Sequence, residues 1–114
     1  MRWTDVAEHA HYGGQMIVDF EGTVYRWEAR ADAAWFFVDL PPDISEIVLE
    51  SRDPALRRGF GAVRVRATIG GSTWTTSMFP SSSGSYVLPL KRAVREAEGL
   101  DEGATASARV EIAD

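Results

Sequence analysis

Cysteine is absent from this 114-residue sequence, and lysine occurs once, as Lys91. A chain without cysteine forms no disulfide, no thiolate metal site and no thiol nucleophile, and it fits a reducing cytoplasm. No run approaches the roughly 20 apolar residues that a membrane helix needs. Residues 1–14 lack the apolar core of a signal peptide, so we expect neither secretion nor membrane insertion. Arginine supplies eleven of the twelve basic residues, which indicates a GC-rich bacterial source.

Acidic residues are missing from the middle of the chain, where Leu56 to Arg95 holds seven basic residues. The net charge is −7 before this segment and −5 after it, and −5 for the whole chain. One interpretation is a basic patch that recruits phosphate, carboxylate or nucleic acid. The other is that the basic middle pairs across strands with the acidic ends. The negative total argues against a nucleic-acid partner.

Aromatic residues are plentiful, with four Trp, three Tyr and five Phe. They can fill one small core without a metal or a disulfide. β-Branched residues, aromatic residues or period-two alternation mark the predicted strands. These strands cover 15–29, 33–40, 63–69, 73–79, 86–90 and 104–112. Gly22 predicts an interruption or a bulge in the first strand, and Gly70-Gly71 predicts a hairpin.

Two short helices are predicted between these strands. Pro41-Pro42-Asp43 begins the first helix, which should end near Ser51. The apolar stripe of the second helix consists of Leu90, Ala93, Val94 and Ala97. Gly99 stops that helix. We therefore expect a mainly β fold, a β-barrel with two short α-helices, as a single domain over 15–114 that follows a loosely ordered N-terminal arm over 1–14.

Several segments of the chain resemble one protein family when they are taken together. They are Leu40-Pro41, Val63-Arg64-Val65 through Ile69-Gly70-Gly71, Trp74 through Pro80, Gly84 with Tyr86 through Lys91, Ala93-Val94-Arg95, and Gly99 with Glu102-Gly103. From about Phe20 to Ile112 the chain resembles the bacterial domain of unknown function 1905 family. The resemblance implies a double-split β-barrel, an architecture also used by swapped-hairpin transcription regulators of the AbrB type. Fold analogy does not transfer function, and the family supplies no catalytic residues.

The first candidate site lies at the start of the second helix. Lys91 and Arg95 are one turn apart, with Arg92 beside Lys91. Bases in a first helical turn oppose the helix dipole, while free backbone N–H groups there attract anions, so a bound phosphate or carboxylate would reconcile both. The loop from Ser81 to Ser85 can add hydroxyl donors. The alternative is that these bases pair with acids from other strands.

The second candidate is a polar strand face. Arg64 and Arg66 point the same way, and the partner strand offers Ser77 beside Thr73 and Thr75. Such a face can hold an acidic ligand or follow a nucleic-acid backbone. A solvent-facing sheet would show the same alternation.

The third candidate is aromatic. The residues that can line a barrel mouth for a flat or apolar ligand are Trp27, Trp35, Trp74, Phe79 and Tyr86. Core packing is the commoner use of such side chains. His9 and His11 have no third ligand nearby in sequence, so no metal site is predicted. No serine has a nucleophile elbow or an identifiable base, so no catalytic residue is predicted.

We therefore predict a cytoplasmic, non-enzymatic module that binds a small anionic or aromatic ligand without a cofactor. Its predicted ligand-binding residues are Arg64, Arg66, Trp74, Ser77, Tyr86, Lys91, Arg92 and Arg95. The first alternative is a nucleic-acid-associated regulator of AbrB-like architecture, for which a homodimer would bring two basic faces to one duplex. The second alternative is an enzyme that acts on a metabolite held in the barrel.

Overall fold

The computed structural model describes residues 9–12, 15–30, 33–51, 61–81 and 84–112. This part of the chain forms seven strands and two helices. In chain order they are β1 (His9–Tyr12), β2 (Gln15–Arg30), β3 (Ala33–Asp39), α1 (Pro42–Ser51), β4 (Val63–Ile69), β5 (Ser72–Pro80), β6 (Tyr86–Pro89), α2 (Arg92–Glu98) and β7 (Thr105–Ile112). The mainly β fold with two short helices is confirmed.

The strands form a closed barrel. Within the described residues the antiparallel order is β1-β2-β3-β6-β5-β4-β7, and β7 pairs again with β2, so six strands close the wall and β1 lies outside the ring. An apolar cluster fills the interior, built from strand residues such as Val18, Val65 and Val110 together with Val48 of α1 and Val94 of α2. The predicted β-barrel is therefore confirmed.

β2 is long because it serves two sheets. Its first half pairs with β1 and β7, and from Val24 onward it pairs with β3. The bulge predicted at Gly22 is wrong, because Gly22 keeps its register opposite Ala106 and the shift lies between Glu28 and Arg30. A Cβ at Gly22 would come within 2.5 Å of Val38 Cγ1. The glycine therefore permits a close approach between β2 and β3.

The hairpin of β4 and β5 shows how period-two alternation becomes a barrel wall. Val63, Val65, Ala67 and Ile69 of β4 are buried, while the residues between them face outward. The two strands pair along their length through the turn at Gly70-Gly71, as predicted. Trp74 and Met78 of β5 enter the same core.

α2 is shorter than the predicted helix. It has seven residues, and Gly99 ends it in the left-handed conformation at φ 65°, as predicted. The predicted apolar stripe is wrong in part, since Ala93 and Ala97 are exposed. Burial falls instead on Val94 within the helix and on Leu90 and Leu100 outside its ends. Two turns are too few for a long stripe, so the flanking residues anchor the helix.

The wall has an opening beside α2. β6 pairs with β5 only through Val87 with Phe79 and Tyr86 with Pro80, and it pairs with β3 through the residues from Val87 to Pro89. Beyond these pairs β6 ends, and no described strand lies between β3 and β5. α2 lies in the gap, and the Ser72 hydroxyl of β5 donates to Glu98 Oε2 at 2.6 Å.

Most of the predicted N-terminal arm lies outside the described residues. Its residues His9–Tyr12 form β1, whose partners in β2 run from Gln15 to Val18. Among the described residues, neither α1 nor α2 is a helix long and apolar enough to cross a membrane.

Candidate functional site

The opening beside α2 is a cleft of about 690 Å³, within the size range of small-molecule sites. We call it the α2 cleft. Its walls come from three parts of the chain. They are Trp35 and Phe36 of β3, Trp74, Thr75 and Thr76 of β5, and Pro89, Leu90, Lys91, Arg92, Arg95 and Glu96 of the segment that enters α2. The cleft thus joins Trp74, Lys91, Arg92 and Arg95, which are half of the predicted binding residues.

Two buried donors in this cleft have no acceptor. Trp74 is 7% exposed, and both its Nε1–H and the Nε–H of Arg95 are shielded from solvent without a hydrogen-bond partner. A buried donor without an acceptor costs about 1–3 kcal/mol. An indole N–H and a guanidinium can only donate. The cleft therefore favours an occupant that brings acceptor oxygens.

An aromatic ring holds Arg95 in place. Its Cζ lies 3.6 Å from the centroid of the Phe36 ring, a cation–π contact worth about 0.5–2 kcal/mol. An acceptor can reach the two shielded nitrogens only after a side chain of the cleft adjusts. A movement of Arg95 would cost at least this contact. Two satisfied donors would offset that cost.

Charge in the cleft is positive. Arg92 Nε lies 3.0 Å from Glu96 Oε2, an exposed i,i+4 pair that contributes little to stability. Arg95 and Lys91 form no ion pair with an acid of the described chain. The predicted alternative was that these bases pair with acids from other strands. Within the described residues, Arg95 and Lys91 form no such pair.

The helix-dipole argument applies to only part of this site: Lys91 is the N-cap of α2 and Arg92 is its first residue, as predicted, but Arg95 is not in the first turn. α2 has seven residues, and Arg95 lies in its last turn, where a base is favourable. None of the cleft-lining residues comes from the Ser81 to Ser85 loop, of which residues 82 and 83 lie outside the described chain. Burial of the Arg95 Nε, and not the position of the helix, is what marks the site.

The remaining predicted residues lie elsewhere. Arg64 and Arg66 are exposed on the outer face of β4, opposite Ser77 and Thr75 of β5. Arg66 Nε lies 3.6 Å from Glu111 Oε1, so a base of the middle segment does meet an acid of the C-terminal one. This outer face matches the alternative interpretation of a solvated sheet.

The predicted aromatic group divides in two. Tyr86 is 4% exposed and belongs to the core, whereas Trp27, Trp35 and Phe79 are exposed. Of the exposed three, Trp35 lines the α2 cleft. Apolar side chains fill the barrel interior. Trp35 and Trp74 therefore share a cleft on the surface, and not the barrel mouth.

Sequence reasoning missed Phe36 and Glu96, which support Arg95 and Arg92. Glu96 stands four residues after Arg92, a spacing that predicts a helical ion pair. Phe36 carries no such signal, because its contact with Arg95 depends on how β3 passes α2. His9 and His11 lie on β1, and the described residues contain no group of three metal-ligating side chains.

A second opening, of about 560 Å³, lies beside α1. Its lining includes the carboxylates of Asp43 and Glu46 and contains none of the predicted binding residues.

The fold and the site define a small closed β-barrel with a cationic, aromatic-lined cleft on its wall. The sequence matches a family model, Domain of unknown function (DUF1905), over residues 20–110. The chain belongs to this family, as the resemblance implied. A comparison with curated proteins found no match.

Proposed function

We propose that this protein is a non-enzymatic binding module and that the α2 cleft holds a small anionic or aromatic ligand. The observation that carries the proposal is the pair of buried donors without acceptors, Trp74 Nε1–H and Arg95 Nε–H. Native proteins rarely leave such groups unpaired. An anion in the cleft would accept from both and would neutralise Arg95.

An ordered water is the competing acceptor for these donors. Water would satisfy a hydrogen bond but would leave the charge of Arg95 without a counterion. A water-filled cleft therefore predicts no stabilisation by anions, whereas a ligand site predicts stabilisation that falls at high salt.

The proposal is tested by a thermal-shift screen of the purified chain against phosphorylated metabolites, nucleotides, aromatic acids and short DNA, at low and high salt. Any anion that raises Tm is then titrated by calorimetry into the wild type, Arg95→Met, Trp74→Phe and Arg64→Ala. We expect Arg95→Met to weaken binding about tenfold or more, because a charge-assisted hydrogen bond is lost. Trp74→Phe keeps an aromatic ring but removes the donor.

Arg64→Ala is the matched control, because it removes the same charge from the outer face of β4, away from the cleft lining. We expect it to leave the affinity unchanged. A loss with Arg64→Ala and none with Arg95→Met would move the site to β4. No stabilisation by any anion would overturn the proposal.

Nucleic-acid binding gains no specific support from the described residues. The exposed bases of the described residues are spread over β2, β4, β7 and the α2 cleft, and Arg66, Arg92 and Arg109 each lie beside an acid. The short DNA in the screen tests this alternative. Cytoplasmic location and a bacterial source belong to the same proposal, because they rest on the missing cysteine and on the arginine-rich composition.

A further inference from the structure

Four aromatic side chains form a cluster on the outer face of β2 and β3. Tyr25 is paired with Phe37 and Trp27 with Trp35, and the rings of Trp35 and Phe37 stack at 6.3 Å with 15° between their planes. Trp27 and Trp35 are 52% and 50% exposed. Trp35 differs from the other three because it also lines the α2 cleft.

Trp35 belongs both to the aromatic cluster and to the lining of the cleft that contains Trp74 and Arg95. Trp35 is bordered by Phe36, on which Arg95 rests, and Trp74 lies on the opposite wall, in β5. Because Trp35 lines the same cleft as Arg95 and Trp74, a ligand with acceptor oxygens for those two residues can also contact the exposed indole of Trp35. Exposed tryptophan rings favour planar partners, which they contact by offset stacking or edge to face.

The cleft has one partly buried cation, Arg95, whose charge a monoanion would neutralise. Arg92 and Glu96 neutralise each other, and Lys91 is exposed and solvated. Arg95 is left as the one partly buried cation of the cleft that has no acidic partner in the described residues. A carboxylate supplies one negative charge and two acceptor oxygens, which match the charge of Arg95 and the donor-only groups of Arg95 and Trp74.

We infer that the α2 cleft binds a planar aromatic carboxylate, with the carboxylate on Arg95 and Trp74 and the ring on Trp35. This inference rests on the proposed function and narrows it to one ligand class. Trp35 is then the residue that determines specificity for aromatic carboxylates, because the two donors would bind any carboxylate.

The experiment compares 2-naphthoate with decahydro-2-naphthoate, which has the same charge and a similar size but no planar ring. Calorimetry measures both in the wild type, Trp35→Leu and Trp27→Leu. We expect the wild type to prefer naphthoate by about three- to tenfold, the range that aromatic pairing supplies beyond area burial. The preference should vanish in Trp35→Leu and persist in Trp27→Leu.

Trp27→Leu is a close control, since Trp27 lies directly opposite Trp35, is equally exposed, and is not among the residues that line the cleft. Circular dichroism and Tm confirm that each variant is folded. Equal affinity for the two acids in the wild type, with both lost in Arg95→Met, would overturn the inference and leave the proposed function standing. Failure of every carboxylate and phosphate to bind would remove both.

Naphthyl phosphate and acetate complete the set of probes. Tighter binding of the phosphate than of naphthoate would overturn the assignment of a carboxylate. Acetate should bind weakly but should still depend on Arg95, because it carries the charge without the ring.

Discussion

Tyr25 is a single residue whose titration can be predicted from its surroundings. Its hydroxyl donates to Asp39 Oδ1 at 2.7 Å. Burial, followed by this hydrogen bond and the negative charge of Asp39, raises the pKa of the Tyr25 phenol well above its usual value of about 10. The protonated phenol is therefore favoured more strongly in the folded chain than in the unfolded chain.

A raised pKa in the folded state contributes stability that is fully present below the unfolded pKa and is lost as the pH rises. The wild type should exceed Tyr25→Phe in free energy of unfolding by about 1 kcal/mol at pH 8. The difference should shrink above pH 10, where the unfolded phenol ionises. Urea unfolding of both proteins at pH 8, 10 and 11 measures it. A difference that grows above pH 10 would contradict the assignment.

The cleft shows how far single residues could be predicted from the sequence. Lys91, Arg92 and Arg95 were identified because an acid-free segment and a helical spacing mark them. Trp35 and Trp74 were identified as aromatic candidates, but their position in one cleft depends on where β6 ends between β3 and β5. No local pattern records where β6 ends, and the contact of Phe36 with Arg95 was missed for the same reason, whereas Glu96 was missed although its spacing from Arg92 marks it.

At the scale of elements, α2 positions the cleft. Its C-terminal end is tied to the hairpin of β4 and β5, where Ser72 donates to Glu98. Gly70 has a positive φ of 58°, and a Cβ there would collide with the Glu98 carboxylate. The positive φ therefore favours glycine at this turn, and the Glu98 carboxylate occupies the space that a side chain would take.

Glu98→Ala should loosen α2 and reduce anion affinity about threefold or more, while the barrel stays folded. The physical reason is that a charge-assisted hydrogen bond, worth about 1.5–3 kcal/mol, holds the helix that carries Arg95. Calorimetry measures the affinity, and circular dichroism measures the fold. Glu102→Ala is the control, because Glu102 is an exposed acid in the turn after the helix. Equal losses of anion affinity in the two variants would contradict a role for the hydrogen bond between Ser72 and Glu98.

Elements were predicted best where one period dominates. The alternation of β4 and β7 and the stop at Gly99 are local properties, and the structure confirms them. The stripe of α2 was overestimated because Ala93 and Ala97 fit the spacing, although small side chains gain little from burial. Gly22 was interpreted as a bulge because the sequence shows that a side chain is missing but does not show that Val38 occupies the space of that side chain.

At the scale of the whole molecule, one ion pair spans the seam that closes the barrel. Asp19 of β2 lies opposite Arg109 of β7, and the guanidinium reaches both carboxylate oxygens, at 2.7 and 3.1 Å. Asp19 is 3% exposed, while the side chain of Arg109 is 58% exposed. Removing the arginine would leave a buried carboxylate without its bidentate partner.

Arg109→Met should lower the free energy of unfolding by about 2 kcal/mol, because Met keeps the apolar stem but not the charge. Urea unfolding at pH 7 measures the loss. Ser107→Ala removes the next polar pair along the seam, the exposed contact between Ser107 and Glu21. It should cost under about 1 kcal/mol. Equal losses would show that burial of Asp19 does not matter.

β6 is a four-residue strand, and Pro80, in its short pairing with β5, has no N–H to donate. Regions with few backbone hydrogen bonds open first in native proteins. Deuterium should therefore enter the amide of Val87 earlier than those of β4. A ligand in the α2 cleft contacts β5 on one side and Pro89 and Leu90 on the other. Such a ligand would bridge the two sides of the cleft and reduce local opening. Binding should therefore slow amide exchange at β6.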